Sequence, residues 1–287
     1  MPAGGRPTVR STRLGKALRS HRQAAGIEMD AAAKAIMGSK AKISRMEGGQ
    51  VSARPLEVAL LLTLYGVTDE AERARLDHWA RESNKRGWWL DYSVSPGYDH
   101  HISLENDATY IRSWDTVLIP GLLQTEAYAA AVINSGPMSI DPEDVLERIK
   151  LRRMRQQRIA NDNIPQAVIL WEPAINTPMG GTETHREQLE HLLELSRRGN
   201  VSLQVLRLSS GVMVGMATPF TAFSFGPEMN IETVTVEALN NTHVYEGQDD
   251  LTGYGRLFES LRSEAASSSE SQKLIQQVLR SKGTSSS

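Results

Sequence analysis

The sequence predicts an α+β protein in which a small all-helical head precedes a larger body of mixed helices and strands. Four short helical patterns, most of them ended by glycine, follow one another within the first 66 residues. Farther along, helical patterns come first and strand patterns come later, an order typical of α+β domains rather than of regular parallel α/β sheets. The 287 residues are enough for two domains.

These patterns divide the chain into five expected segments. The segments are a disordered basic arm over 1–12, a helical head over 13–68, a connector helix over 69–87, an α+β body over 88–265, and a terminal helix with a serine-rich disordered tail over 266–287.

The four helical patterns of the head are separated by recognisable stop signals. The first places Leu14, Ala17, Leu18 and Ala25 at helical spacing before Gly26, the second runs from Glu28 to Met37 before Gly38, and the fourth, Leu56–Tyr65, opens at Pro55 and closes at Gly66. The third follows Ser39, a suitable N-cap, and ends at Gly48 and Gly49. Its spacing turns Ile43 and Met46 inward and leaves Lys40, Ala41, Lys42, Ser44 and Arg45 outward.

Charge is unevenly distributed between the head and the rest of the chain. Residues 1–66 hold eleven basic and four acidic residues, a charge of +7, whereas the remainder carries −9. A basic front on an acidic body indicates a module that binds a polyanion. An outward face of Lys, Ser and Arg on a short helix suits the DNA major groove, although a solvated surface helix would look similar. Because four helices follow one another in this order on a segment of charge +7, we favour binding in the major groove over a solvated surface helix.

Residues 14–65 resemble the helix-turn-helix domain of phage repressors, the XRE type. The string Lys-Ile-Ser-Arg-Met-Glu-Gly-Gly over 42–49 is similar to the S-R-x-E-x-G ending of that family's recognition helix. The resemblance implies that bases or nearby phosphates contact Ser39, Lys40, Ala41, Ser44 and Arg45, and that the sugar–phosphate backbone contacts Lys42, Gln50 and Arg54. The chain departs from the family at Met29, Met37 and Ala41, where a polar residue, a turn glycine and a long polar side chain are usual.

The remaining patterns predict a connector followed by a mixed body. Asp69–Arg86 has the pattern of a polar helix with an apolar stripe of Ala71, Ala74, Leu76 and Ala80. Helices are expected at His101–Arg112, Thr125–Asn134, Asp141–Ala160, Glu183–Arg198, Leu251–Glu264 and Ser271–Leu279. Strands are expected at Gln166–Trp171, Val201–Leu206, Phe220–Phe225, Thr233–Glu237 and His243–Glu246.

This body also resembles a known family, the C-terminal domain of actinobacterial XRE regulators of the WhiJ type, often described as antitoxin-like. The resemblance rests on the strings at 86–89, 117–125, 188–192 and 200–206, of which Ile-Pro-Gly-Leu-Leu-Gln-Thr is the most specific. The resemblance implies a regulator that binds double-stranded DNA and is controlled through its C-terminal domain. Such regulators are commonly encoded beside a small partner protein, which the resemblance implies would bind this domain.

Two groups of body residues allow both a functional and a structural interpretation. Trp88, Trp89 and Trp114 flank the family strings and could form an effector or partner surface, although aromatic core is the favoured interpretation. A dense basic stretch could contact DNA, although a solvated helix paired with Glu143, Asp144 and Glu147 is favoured. The stretch comprises Arg148, Lys150, Arg152, Arg153, Arg155 and Arg158.

Enzymatic interpretations find little support in the sequence. Without cysteine there is no disulfide, thiolate nucleophile or zinc finger. His100 and His101 diverge on a helix, and no HExxH, Walker or G-x-S-x-G string is present. We therefore expect no catalytic residue, no metal and no cofactor. No apolar run reaches the ~18 residues of a membrane span, so we expect a cytoplasmic protein without a membrane partner.

The sequence thus supports a leading hypothesis and an alternative from another class. The leading one is a sequence-specific transcriptional regulator that binds an inverted-repeat operator as a homodimer. The alternative is an antitoxin-like interaction module that binds a small neighbouring protein and uses DNA binding for autoregulation.

Overall fold

A computed structural model describes residues 9–83, 88–92, 96–136, 141–210, 218–226, 228–238 and 241–283. The chain forms two compact units, Met1–Leu90 and Asp91–Ser287. The first is helical and the second combines helices with a six-stranded sheet, which confirms the α+β class. None of the helices in the described ranges is long and apolar enough to cross a bilayer.

The described part of the first unit consists of five helices around one core. They are α1 (Val9–Ala24), α2 (Met29–Ala35), α3 (Lys40–Glu47), α4 (Pro55–Leu64) and α5 (Glu70–Ser83). Leu14 and Leu18 of α1, Ile43 of α3 and Leu61 of α4 are buried together with Leu76 of α5. The glycines expected to stop α1 and α4, Gly26 and Gly66, have φ of 65° and 71°, left-handed values that glycine adopts without strain.

Two expectations for this unit are wrong. The disordered arm was expected to extend to residue 12, but α1 already begins at Val9 and the Ser11 hydroxyl is buried within the unit; residues 1–8 lie outside the described ranges. The helix expected to be a connector, α5, packs on α1 and α4 through Leu76 and Ala80, and is therefore the fifth helix of the head. Ala71 and Ala74, expected in its apolar stripe, are exposed.

The second unit is built on a mixed sheet. Its strands are β1 (Tyr110–Asp115), β2 (Gln166–Trp171), β3 (Val201–Leu206), β4 (Phe220–Ser224), β5 (Thr233–Ala238) and β6 (Asn241–Tyr245), in the order β3-β2-β1-β4-β5-β6. β1, β2 and β3 are parallel, whereas β4, β5 and β6 join antiparallel. Its helices are α6 (Pro96–Asp107), α7 (Glu126–Asn134), α8 (Pro142–Asn161), α9 (Glu172–Asn176), α10 (Thr182–Leu195), α11 (Gln248–Glu264) and α12 (Ser268–Gly283).

Helices cover both faces of the sheet, because successive strand residues point to opposite sides. Val168 and Leu170 of β2 pack in a cluster with residues of α7, α9, α10 and α12. Ala167 and Ile169 of the same strand pack in a second cluster with Phe258 of α11. This explains why the sequence of β2 is a continuous apolar run rather than an alternating one.

Two predictions for the second unit are also wrong. The helix expected over His101–Arg112 ends at Asp107, and the chain then enters β1, a central strand that the sequence analysis missed. The terminal helix expected beyond residue 265 belongs to this unit: α12 buries Ile275, and Ser271 Oγ accepts a 2.8 Å hydrogen bond from the Val205 amide of β3. The order of the patterns along the chain, helices before strands, predicted a sheet without regular parallel pairing. The observed sheet nevertheless contains three parallel strands, β1, β2 and β3.

Candidate nucleic-acid interface

Helix α3 is fixed at its start by a side-chain cap and along one face by the core. Ser39 Oγ accepts a 3.2 Å hydrogen bond from the Lys42 amide, which satisfies a backbone donor that the helix leaves unpaired. Ile43 and Met46 are buried, as the spacing predicted. One side of the helix is therefore held, and the opposite side is presented to solvent.

A buried ion pair anchors the other end of α3. The Arg22 guanidinium of α1 donates to both carboxylate oxygens of Glu47, at 2.6 and 2.9 Å, and to the Ile27 carbonyl at 2.9 Å. This fork-shaped geometry is the strong form of a charge-assisted hydrogen bond. The hydrogen bond to Glu47 raises the pKa of Arg22, and burial beside the same carboxylate raises the pKa of Tyr65 to about 12. The Glu of the S-R-x-E-x-G string is thus a structural residue.

Close backbone approaches explain two glycines around α3. A Cβ on Gly15 of α1 would lie against the Met46 carbonyl and 2.7 Å from the Glu47 carbonyl oxygen. The backbones of α1 and α3 are therefore too close at this point for any residue but glycine. Gly49 has a φ of 70°, and a Cβ there would lie 2.5 Å from Thr12 Cα. The Ser11 hydroxyl donates a 2.8 Å hydrogen bond to the Gly49 carbonyl. The end of α3 is thereby tied to α1.

The free face of α3 carries the side chains that the sequence indicated. Ser39, Lys40, Ala41, Ser44 and Arg45 are all exposed. The Lys40 ammonium lies 3.5 Å from the exposed carboxylate of Asp30, a loose pair that screening by salt weakens. Within the described part of the chain, the Arg45 guanidinium makes no ion pair. After the helix, Gln50 and Arg54 are exposed as well.

Lys42 is placed differently from the expectation of a phosphate contact. Its ammonium is half-buried and forms an ion pair with Glu57 of α4, whose second carboxylate oxygen accepts a 3.1 Å hydrogen bond from the Arg54 amide. Burial raises the pKa of Glu57, but the hydrogen bonds and charges of Lys42 and Arg54 together outweigh it, and the pKa lies below its ordinary value. Lys42 therefore links α3 to α4, and we leave it out of the interface.

The turn between α2 and α3 places a methionine where glycine is usual. Met37 has a φ of 51°, in the left-handed region, and its side chain is 95% exposed. The Gly38 amide donates a 2.8 Å hydrogen bond to the Ala33 carbonyl and thus closes the end of α2. The left-handed residue of the turn is Met37 itself, and the substitution leaves the turn formed but strained.

In the second unit, the Ile-Pro-Gly-Leu-Leu-Gln-Thr string forms a buried turn. Gln124 Nε2 donates to the Ile119 carbonyl at 2.6 Å, and its amide oxygen accepts from Arg152. Gln188 of α10 accepts from the Thr125 amide at 2.7 Å and donates to the Leu123 carbonyl at 2.8 Å. The string therefore forms a turn held by its own side chains and by Arg152 of α8 and Gln188 of α10.

Of the other candidates expected in the body, the structure places some in the core and others at the surface. Trp114 is 0% exposed in the core, so it cannot form part of an effector or partner surface. Trp88 is half-buried and Trp89 is buried, with the two rings in edge contact at 5.7 Å. In the basic stretch of α8, Arg153 pairs with Glu126 and Arg158 with Asp162, rather than with the acidic residues expected at its start.

A buried polar cluster lies between α6, α8 and the sheet. Arg155 donates to both oxygens of Glu105, at 2.9 and 2.6 Å, and to the Tyr98 hydroxyl. His101 Nδ1 lies 3.0 Å from Thr235 Oγ1, and burial lowers its pKa. Burial also raises the pKa of Asp115, at the end of β1, to about 7. Among the described residues, no group of His, Asp and Glu could hold a metal ion.

Comparison with known families supports the division into two units. Residues 13–76 match a helix-turn-helix domain model, which includes the first half of α5 and indicates DNA binding by a regulatory protein. Residues 98–277 match the domain of unknown function DUF5753, and the chain belongs to that family. No curated protein and no solved structure matches the chain.

Proposed function

We propose that the protein is a sequence-specific transcriptional regulator whose helix α3 reads DNA. The observation that carries the proposal is the division of α3 into two faces. One face is held by Ile43, Met46 and the Arg22–Glu47 pair, and the other presents hydroxyl, ammonium and guanidinium groups to solvent. A rigid helix with such a face fits the major groove, where each base pair presents a distinct pattern of donors and acceptors.

Roles within this interface follow from the chemistry of each side chain. Arg45 can donate two hydrogen bonds to guanine, a pair worth about 1–3 kcal/mol of discrimination. Ser39, Lys40 and Ser44 add hydrogen bonds to bases or nearby phosphates, and Ala41 offers only a methyl contact to thymine. Gln50 and Arg54, on the loop after α3, position the unit on the sugar–phosphate backbone.

The regulator works as a homodimer on an inverted repeat. A single short helix reads few base pairs, and two copies related by a two-fold axis place their helices in successive major grooves. The second unit, with its own core, is the part through which binding is controlled.

Binding of the purified protein to its own upstream DNA and to a scrambled duplex, at two salt concentrations, tests the proposal. We expect specific binding that survives moderate salt, and a loss of sequence preference in Arg45→Ala. Arg81→Ala is the matched control, because Arg81 is an exposed arginine of the same unit that pairs with Asp77. Equal, salt-sensitive binding to both duplexes would leave only non-specific attraction and overturn the proposal.

A further inference from the structure

The outer face of α4 carries an exposed line of leucines. Leu56, Leu60 and Leu64 are spaced four residues apart, so they lie along one side of the helix. Their exposed fractions are 72%, 41% and 36%, whereas Leu61 and Leu62 of the same helix are buried in the core. A surface helix ordinarily turns polar residues outward, and apolar groups on both sides indicate a second packing surface. We call Leu56, Leu60 and Leu64 the leucine stripe.

We propose that the leucine stripe is the surface through which two copies of this chain meet on DNA. The inference rests on the proposed function, and it identifies where the homodimer forms.

The charge of this face favours a second copy over a different partner. Ala59 and Thr63, also exposed on α4, are uncharged like the leucines, and the only ionisable residue of the helix, Glu57, is buried against Lys42. Residues 1–66 carry a charge of +7, so two heads repel each other over most of their surfaces. The leucine stripe itself is uncharged, so two copies can approach through it; the Arg73 guanidinium, which donates a 3.2 Å hydrogen bond to Thr63 Oγ1, lies at its border.

The position of the stripe in the chain suits a contact formed on DNA. α4 begins directly after Arg54, so Leu56 lies two residues from a proposed backbone contact. The Lys42–Glu57 pair fixes the start of α4 to α3. A second copy docked on the stripe would therefore contact the part of the head that lies beside the proposed DNA interface.

The size of the stripe implies a weak contact in free solution. Three partly exposed leucines cover far less than the roughly 800 Å² per partner of a standard interface. DNA that holds two heads on adjacent half-sites raises their effective concentration, so a small apolar contact becomes populated there. We therefore expect pairing through the stripe to depend on DNA.

In the proposed dimer the two-fold axis is perpendicular to α4, so the two copies of the helix run antiparallel and this arrangement fixes which leucines meet. If residue 56 of one copy contacts residue 64 of the other, the reverse contact also holds, and the middle residue, Leu60, faces its own counterpart. Packed helices have axes about 8–10 Å apart, and their Cα atoms lie about 2.3 Å from each axis. Facing Cα atoms are then roughly 3.4–5.4 Å apart, and the upper part of this range overlaps the separation of about 4.4–6.8 Å that a disulfide needs.

Disulfide trapping in the full chain tests this geometry, because the protein contains no cysteine of its own. We expect Leu60→Cys to form a covalent homodimer under mild oxidation on its upstream DNA, at least tenfold more than without DNA. Leu56→Cys alone should not cross-link, whereas a mixture of Leu56→Cys and Leu64→Cys should. Leu146→Cys on α8, 57% exposed, is the matched control for random collision.

The outcomes separate this inference from the proposed function. Specific DNA binding by the unaltered chain is measured first, and its absence counts against the function itself. With specific binding established, cross-linking of Leu60→Cys no greater than that of Leu146→Cys overturns the leucine stripe as the dimer contact. Protection of the thiol of Leu60→Cys from alkylation in the DNA-free monomer would also overturn it, because another part of the chain would then cover the stripe.

Discussion

Glu47 stabilises the first unit through a buried ion pair that its position in the S-R-x-E-x-G string does not indicate. It accepts two hydrogen bonds from Arg22, and both side chains are buried. The S-R-x-E-x-G string was identified from the sequence. Arg22, the partner of Glu47, lies 25 residues away and becomes a neighbour only when α1 packs on α3. Composition and spacing carry no signal for such a pair. The exposed residues of α3 could be predicted, because helical periodicity alone separates them from Ile43 and Met46.

Replacing Glu47 by alanine should destabilise the first unit by about 3–5 kcal/mol, because Arg22 is left as a buried charge without its partner. Urea denaturation of the full-length variant would measure the loss. Asp77→Ala provides the comparison, since it breaks the exposed Asp77–Arg81 pair and should cost less than about 1 kcal/mol. Similar losses for the two variants would show that burial of the Arg22–Glu47 pair has no special importance.

At the scale of elements, the turn between α2 and α3 offers a stabilising substitution. Met37 adopts a left-handed conformation that costs a non-glycine residue roughly 1–2 kcal/mol, and its side chain has almost no packing to lose. Part of the gain is offset because glycine makes the unfolded chain more flexible. We expect Met37→Gly to raise the free energy of unfolding by about 0.5–1 kcal/mol.

Chemical denaturation would measure this change, with Met37→Ala as the matched variant. Alanine removes the same side chain but keeps the backbone strain, so its stability should stay near that of the original protein. A gain for alanine equal to that for glycine would mean that the exposed thioether, rather than the backbone, carries the cost.

Local signals predicted the helices better than the central strand. Ser39 and Thr125 cap the helices that were expected to follow them, because an N-cap acts within one turn. β1 was missed because Tyr110–Asp115 mixes Arg, Ser and Asp with aromatic residues, and its strand character depends on β2 and β4 on either side. α5 was misread because a polar helix with two buried positions looks like a solvated connector until its neighbours are known.

At the scale of the whole molecule, each unit has its own core, so a perturbation can be directed to one of them. Asp115 belongs to the second unit, and burial raises its pKa from 3.8 to about 7. Between these values the folded chain retains a proton that the unfolded chain has lost. The free energy of unfolding of this unit therefore falls as the pH rises from about 4 to 7 and then levels off.

Asp115→Asn should remove this fall, because asparagine has no proton to lose. The melting temperature of the second unit should match the original near pH 4 and exceed it by several degrees at pH 8, since 1 kcal/mol corresponds to about 2–4 °C for a domain of this size. Calorimetry across this pH range would measure the difference, and Asp162→Asn, at the exposed end of α8, is the control. A constant difference at every pH would contradict the assignment to the Asp115 carboxyl.

The strand order also has a consequence for how the chain is made. β1 pairs with β2 on one side and with β4 on the other, yet β4 begins only at Phe220. At translation rates of about 5–20 residues per second, the side of β1 that faces β4 waits on the order of ten seconds for its partner to be synthesised. During that interval a nascent chain with β1 and β2 already joined displays an open strand edge, which a neighbouring nascent chain on the same messenger RNA could extend. Emergence of β4 from the ribosome is therefore the step that closes the middle of the sheet.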